Sequence, residues 1–372
     1  MLLRPLFRVF AAGQLLPALA ANALYKSFYK VSYLAALENA GLMSRLRRAP
    51  VTFQSLAAEA PDPKAVEALL AWLQMGCKLG LLHLGDEGYT LRGLARKLAQ
   101  SQNDATLALT QEVASLHHRL ITESVPRLRE GRTWGLDNQD PVLTARSSRA
   151  LEAFQREALE RWIPKDGTCR LLEIGCGSAV YIRYAAMLNP QLTALGLELQ
   201  DEAACRAQDN IRAWGLHDRV RIETGDIRTV QGEAVYDVAT LYNNIYYFPV
   251  AERVAILACI GRHLRPGGSL LLVTCCQGGS AGIQALNLWG ATNRHGGRLP
   301  DVAEMQSQLA RAGFENVDTM RLIPGDAFVA FHAHTQPSDT RQRSDRRARP
   351  NRRPATSRSL LRQSRTRSRP RR

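Results

Sequence analysis

The densest chemistry in the chain lies in Leu171-Leu172-Glu173-Ile174-Gly175-Cys176-Gly177-Ser178-Ala179. An apolar run that reads as a strand enters two glycines, and a helix is expected from about Val180. Gly175 and Gly177 let the backbone turn sharply and approach a ligand with no Cβ in the way. The free N–H groups of a helix start favour an anionic group such as a carboxylate. Twenty-one residues after Gly177, Glu198 closes the next expected strand, where a carboxylate can take both ribose hydroxyls of an adenosine. Gly225-Asp226-Ile227 follows the third strand, and Asp226 is placed to accept from an adenine amino group. The set fits an adenosine-bearing cofactor. Val180 stands where a dinucleotide fingerprint has its third glycine, and Glu173 is foreign to that fingerprint. The combination favours S-adenosylmethionine over a nicotinamide dinucleotide.

Methyl transfer from a sulfonium is an in-line displacement. Nucleophile, methyl carbon and sulfur must be aligned, and a hydroxyl acceptor must lose a proton. Neither a metal nor a covalent intermediate is required. The seven cysteines (77, 169, 176, 205, 259, 275 and 276) form no CxxC pair and no zinc-spaced Cys/His set. They read as reduced thiols of a cytoplasmic protein.

The stretch Leu241-Tyr242-Asn243-Asn244-Ile245-Tyr246-Tyr247-Phe248 follows the fourth expected strand, at the end of the sheet where open α/β folds bind ligands. Tyr242 and Asn243, with Leu199 beyond Glu198, complete the candidate cofactor set. Asn244, Tyr247 and Trp289 are candidate acceptor contacts, and Tyr246, His118 and His295 are candidate catalytic residues. A neutral phenol with pKa near ~10 is a poor base at neutral pH, so Tyr246 is expected to orient an acceptor by hydrogen bonding. His117 and His118 share an expected helix, and His295 lies in a glycine-rich stretch that can form a pocket wall. Each residue also has a plainer role. Glu173 and Asp226 can cap helices, Glu198 can be a solvated strand end, Tyr246 and Trp289 can be core aromatics, and the histidines can be surface or core groups.

Strands alternating with helices from Thr168 predict a parallel sheet. The expected strands are Arg170–Ile174, Ala194–Leu199, Val220–Thr224, Val235–Leu241 and Ser269–Thr274, closed by a hairpin of Val317–Ile323 and Ala327–His332. Upstream, Thr52 caps a short helix and Asp62-Pro63 opens a longer one that Gly80 stops. Leu81–Leu84, a turn at Gly85–Gly88, and Tyr89–Leu91 then read as a hairpin. Three helices and a wing make a winged helix. The expected organisation is a helical winged-helix domain over 1–100, connecting helices over 101–165 that contribute to the substrate pocket, a cofactor domain over 166–335, and a disordered arginine-rich tail over 336–372.

Glu173-Ile174-Gly175-Cys176-Gly177, Glu198, Gly225-Asp226-Ile227 and Leu264-Arg265-Pro266-Gly267-Gly268 resemble the motif series of class I S-adenosylmethionine-dependent methyltransferases. Leu34-Ala35-Ala36-Leu37 and Leu81-Leu82 before the wing resemble the dimerisation domain of small-molecule O-methyltransferases. The resemblance covers roughly residues 28–334. It implies a Rossmann-like, seven-stranded methyltransferase sheet behind a smaller winged-helix domain, and a homodimer. In that fold Glu173 and the glycines hold the methionine portion, Glu198 the ribose, and Asp226 with Ile227 the adenine. The chain departs from those relatives at Tyr246, which aligns with their general-base histidine. The implied activity is transfer of a methyl group to a small-molecule hydroxyl. N- or C-methylation, or a non-catalytic cofactor-binding regulator, are the alternatives.

The net charge of +15 raises a nucleic-acid partner, but fourteen arginines and a single acid, Asp345, sit within 341–372. The first 340 residues are therefore close to neutral. The tail can bind polyanions non-specifically, while the body offers no basic channel, so no specific nucleic-acid partner is expected. The helix Asp62 to Lys78 has zero net charge and is rich in leucine, alanine and tryptophan. It suits a partner subunit better than phosphates. Residues 9–24 are uncharged, but Gln14, Pro17 and Asn22 interrupt them. They read as a folded helix rather than an export signal or membrane span.

Overall fold

The computed structural model describes residues 8–230 and 232–337. The first seven residues and the arginine-rich segment expected to be disordered lie outside the described residues, apart from Gln336 and Pro337. Helix α1 (Leu15–Asn39) takes in the later part of the uncharged run 9–24 and continues through Leu34 and Leu37, which are buried. Helices α2 (Leu42–Arg48), α3 (Phe53–Ala57) and α4 (Pro63–Lys78) follow. The Thr52 hydroxyl accepts from the Ser55 amide at 3.2 Å, and the Asp62 carboxylate accepts from Ala65 at 2.8 Å. Both caps satisfy amides that a helix start leaves free.

The wing is an antiparallel pair, β1 (Leu82–Gly85) and β2 (Gly88–Leu91), extended by a bridge from Val51 to Tyr89. One core fills this region, where Tyr33 stacks on Trp72 at 4.4 Å and donates to its carbonyl. Helices α5 (Gly93–Leu98), α6 (Asp104–Glu112), α7 (His118–Arg129), α8 (Pro141–Ser147) and α9 (Glu152–Trp162) lead to the sheet. Between α6 and α7 the backbone widens into a π turn over Val113–His117.

The large sheet has the order β5-β4-β3-β6-β7-β9-β8. Its parallel strands are β3 (Cys169–Ile174), β4 (Leu192–Glu198), β5 (Val220–Thr224), β6 (Tyr236–Tyr242) and β7 (Leu264–Cys275). Strand β9 (Phe328–Thr335) runs antiparallel between β7 and β8 (Phe314–Arg321). Leu171, Leu172 and Ile174 are all buried, as a strand covered on both faces requires. Helices α10 (Val180–Leu188), α11 (Asp201–Ala213), α12 (Arg253–His263), α13 (Ala281–Thr292) and α14 (Val302–Arg311) make the connections.

The expected strands differ from the observed ones mainly at their ends. The largest difference is at β7, which begins at Leu264 rather than Ser269. The register jumps from Tyr236 opposite Leu264 to Val238 opposite Ser269, so Arg265–Gly268 bulge out of one continuous strand. A Cβ at Gly268 would meet the Arg265 carbonyl at 2.9 Å and the Asp237 carbonyl at 3.1 Å, which accounts for glycine there.

Candidate active site

Strand β3 has β4 on one side and β6 on the other, so the connections leave it in opposite directions and open a crevice at its carboxyl end. The glycine turn lies there. Gly175 has φ +68°, and a Cβ on it would collide with the Asn244 side-chain amide. That amide donates to the Ile174 carbonyl at 3.3 Å, pinning the end of β6 across the end of β3. Gly177 has φ +53° with open space where a side chain would go, and its N–H donates to Glu198 Oε2 at 2.9 Å. The other oxygen of Glu198 accepts from the Gln200 amide at 3.2 Å. The carboxylate is thus held above the glycine turn by two backbone donors.

Glu173 is buried beneath that turn and accepts from the Thr240 hydroxyl at 3.4 Å. Burial pushes its carboxyl up to about 8; the Thr240 hydroxyl opposes the shift and the charge of Glu198 adds to it. Two further polar atoms are buried here without a partner, the Tyr242 hydroxyl and Asn243 Oδ1. Asn243 takes φ +48°, a conformation asparagine tolerates better than most residues. Tyr242 packs against Tyr181 with ring centroids 4.8 Å apart. An unpartnered buried polar group costs about 1–3 kcal/mol, so Glu173, Tyr242 and Asn243 fit a polar ligand group at this position.

Asp226 follows β5 and is held by Arg228 through both oxygens, at 2.6 to 3.0 Å. The hydrogen bonds from Arg228 keep its carboxyl below the usual range. Ile227 is buried beside it and Leu199 is exposed beyond Glu198. All nine candidate cofactor residues therefore stand on the carboxyl ends of β3 to β6.

The acceptor-side candidates divide. Tyr246 and Tyr247 lie in a 3₁₀ turn after β6, with ring centroids 4.8 Å apart. Desolvation raises the Tyr246 hydroxyl well above its ordinary value, so it stays protonated and can only donate or accept a hydrogen bond. The Tyr246 carbonyl accepts from the Gly297 amide at 3.0 Å, and a Cβ at Gly296 would come within 2.7 Å of that carbonyl. The glycine-rich stretch thus forms a wall against Tyr246. Trp289 is buried on α13 in a cluster with Leu116, Leu120 and Trp134, and its indole N–H has no acceptor. Asn244 faces the glycine turn rather than this cluster.

The two candidate histidines are not brought to Tyr246. His295 is exposed on the outer side of the wall, its amide turned onto Asn293 Oδ1. His118 is exposed against Phe28 of α1, with ring centroids 5.7 Å apart. Its neighbour His117 is the inward one. His117 closes the π turn before α7 and is half-buried, and burial holds its imidazole below the ordinary value. The Glu112 carboxylate accepts from the Thr144 hydroxyl at 3.0 Å. Glu112 carries no motif in the sequence.

Residues 172–270 match the family model described as a methyltransferase domain. The chain is 28% identical to the L-tyrosine C(3)-methyltransferase of Streptomyces lavendulae, over 42% of this chain and 44% of that one. It is 30% identical to the trans-aconitate 2-methyltransferase of Deinococcus radiodurans, over 37% of this chain and 48% of that one. The chain thus spans about half the length of these curated relatives. Among solved structures, that of the mitomycin 7-O-methyltransferase MmcR superposes with a TM-score of 0.72 at 17% identity, covering 87% of this chain and all of that one. Residues 172–270 thus match a methyltransferase domain, and the chain shares the fold of that O-methyltransferase structure.

Proposed function

We propose that the protein is an S-adenosylmethionine-dependent methyltransferase that acts on a hydroxyl group of a small molecule. The observation that carries this reading is the crevice at the end of β3, where Glu173, Tyr242 and Asn243 present polar atoms around a glycine turn that excludes side chains. Glu173, Tyr242 and Asn243 would hold the amino-acid end of the cofactor, Glu198 the ribose, and Asp226 with Ile227 the adenine. When bound, S-adenosylmethionine supplies an electrophilic methyl group on sulfur.

The chain supplies the rest. Tyr246 remains a neutral phenol and orients the acceptor oxygen by a hydrogen bond. Tyr247, Trp289 and the 290–297 wall exclude water, so that alignment provides much of the acceleration. Incubation of the full chain with methyl-labelled cofactor and a panel of phenols, carboxylates and amines tests the reading. Label on phenols is the expected outcome. Label confined to amines or carbon would change the acceptor class, and no transfer to any compound would contradict the enzyme reading.

The partner is a second copy of the chain. Helix α1 exposes Leu16, Leu19, Leu24, Tyr25, Phe28 and Tyr29, and α7 exposes Ile121, Val125 and Leu128. The Phe28–His118 contact brings α1 against the start of α7. On α4, expected to carry the contact, Leu70 and Met75 are the large apolar side chains left exposed, so the α1–α7 face is the better candidate. A contiguous apolar surface of this kind marks an interface. Sedimentation of the full chain at micromolar concentration should give a dimer, and Phe28→Glu with Val125→Glu should give a monomer. A monomeric wild type would refute the assignment. The seven free thiols support a cytoplasmic location, and among the described residues no helix is long and apolar enough to cross a membrane.

A further inference from the structure

The glycine-rich wall against Tyr246 is gripped at both ends. At residues 292–294 it is tied to Trp134, whose amide donates to the Thr292 carbonyl at 3.0 Å and whose carbonyl accepts from the Arg294 amide at 2.7 Å. At 297–298 it meets Arg253, the first residue of α12. Arg253 is fully buried and shares the inner face of that helix with Ile256, Leu257 and Ile260. Its Nε donates to the Phe248 carbonyl at 3.2 Å, and its Nη2 donates to the Arg298 carbonyl at 2.6 Å. The two nitrogens lie on one edge of a rigid, planar guanidinium. A single fork therefore joins the chain just after the Tyr246–Tyr247 turn to the end of the wall.

The fit around this fork is close. A Cβ at Gly297 would come within 3.0 Å of both Arg253 Nη2 and Val250 Cγ2. One at Gly290 would collide with the Gly297 carbonyl and stand 3.7 Å from Tyr246 Cβ. The Gly297 amide donates to the Tyr246 carbonyl at 3.0 Å. Arg253 thus touches Gly297, and Gly297 in turn holds the backbone of Tyr246. Stability alone does not account for an arginine here. Its Nη1 is buried with no partner, and burial lowers the guanidinium to about 10, which leaves it charged at neutral pH. Well-packed apolar side chains often replace buried charges with no loss of stability. What an apolar side chain cannot supply is a fixed spacing between two carbonyls.

We propose that Arg253 is a positioning residue of the acceptor side. By clasping the Phe248 and Arg298 carbonyls it fixes the Tyr246 backbone against the wall, and so sets where the Tyr246 hydroxyl meets the acceptor. The inference rests on the role of Tyr246 in the hydroxyl-acceptor reading above. Arg253 acts through Tyr246 and takes no part in proton transfer.

Hydrogen exchange of the full chain, resolved to single amides by fragmentation mass spectrometry, reads the clasp directly. In the wild type the Gly297 amide should exchange slowly although it lies outside helix and strand. Fast exchange there would overturn the proposal without any variant. Arg253→Met keeps the aliphatic stem and removes the fork, whereas Arg253→Lys keeps the charge as a single point. In both, the Gly297 amide should exchange about tenfold faster or more, while the β3 amides at 171–174 stay protected. Calorimetric binding of S-adenosylhomocysteine should remain within about twofold. With S-adenosylmethionine and the phenol that the wild type labels fastest, kcat should fall about tenfold or more in both variants, with the cofactor KM within about twofold. Unchanged Gly297 exchange, faster exchange with kcat intact, or full kcat in Arg253→Lys would each overturn the positioning role. Loss of β3 protection in both variants would make Arg253 a general stabiliser and overturn it too. A protected wild-type Gly297 amide with no label on any phenol overturns the hydroxyl-acceptor reading, and the positioning role with it.

Discussion

The two sides of the candidate site are built from different materials. The cofactor side is made of backbone: glycine turns at positive φ, amides pinning Glu198, and polar atoms on the ends of consecutive strands. The acceptor side is made of side chains gathered from segments far apart in sequence, with Tyr246 and Tyr247 after β6, Trp289 on α13, and Leu116 and Leu120 packed against Trp289. A backbone-built site tolerates little change at its glycines and ties its chemistry to the fold. A side-chain-built site can change its acceptor without disturbing the sheet, because each contributor can be replaced singly.

This contrast can be broken or sharpened by substitution. The largest effect is expected at Gly175. Valine there meets both an unfavourable φ of +68° and the Asn244 amide. Gly175→Val should weaken S-adenosylhomocysteine binding by roughly 100-fold or more, about 3 kcal/mol, as read by calorimetry. Glu198→Ala comes next. It removes a carboxylate suited to two ribose hydroxyls, and charged hydrogen bonds are worth about 1.5–3 kcal/mol. A loss of roughly 10- to 100-fold in the same titration is expected. Unchanged affinity in either variant would mean that the cofactor lies elsewhere.

Glu173 gives a pH-dependent effect of intermediate size. Its folded carboxyl, pushed up to about 8, lies above the value of about 4.3 for an unfolded chain. The folded state therefore keeps a proton that the unfolded state has released. The stability this proton contributes is complete below about pH 4 and is lost as pH rises through 8. Glu173→Gln should remove that loss, so the melting temperature of the ligand-free variant should fall less than that of the wild type between pH 5 and pH 9. An equal fall in both would show that Glu173 is not a buried proton holder. The smallest effect is expected across the site at Trp289. Trp289→Phe leaves a small cavity in a buried cluster and should keep S-adenosylhomocysteine affinity within about twofold, with a stability loss of about 1–3 kcal/mol. A large loss of affinity there would show that the two sides are not separable.

The same contrast explains what the sequence discloses. Glu173, Gly175, Gly177 and Glu198 were legible because strand, turn and helix fix their positions locally, and alternating apolar runs mark the strands. The order of β9 between β7 and β8 is not written in any local pattern, since it depends on which strand edge the last hairpin meets in three dimensions. On the acceptor side the sequence puts His118 and His295 forward as candidate catalytic residues. In the structure both are exposed, His118 beside Phe28, while His117 is half-buried at the end of the π turn. Nothing in the composition of Val113–His117 announces that turn. Glu112 is equally silent, since an acidic residue at a helix end reads as solvated until Thr144, thirty-two positions away, is found against it.

The account is tested most directly by calorimetric titration of the full chain with S-adenosylhomocysteine, alongside Gly175→Val and Glu198→Ala. It predicts one site of micromolar affinity on the wild type, weakened in both variants. A folded wild-type protein that binds no S-adenosylhomocysteine would contradict it.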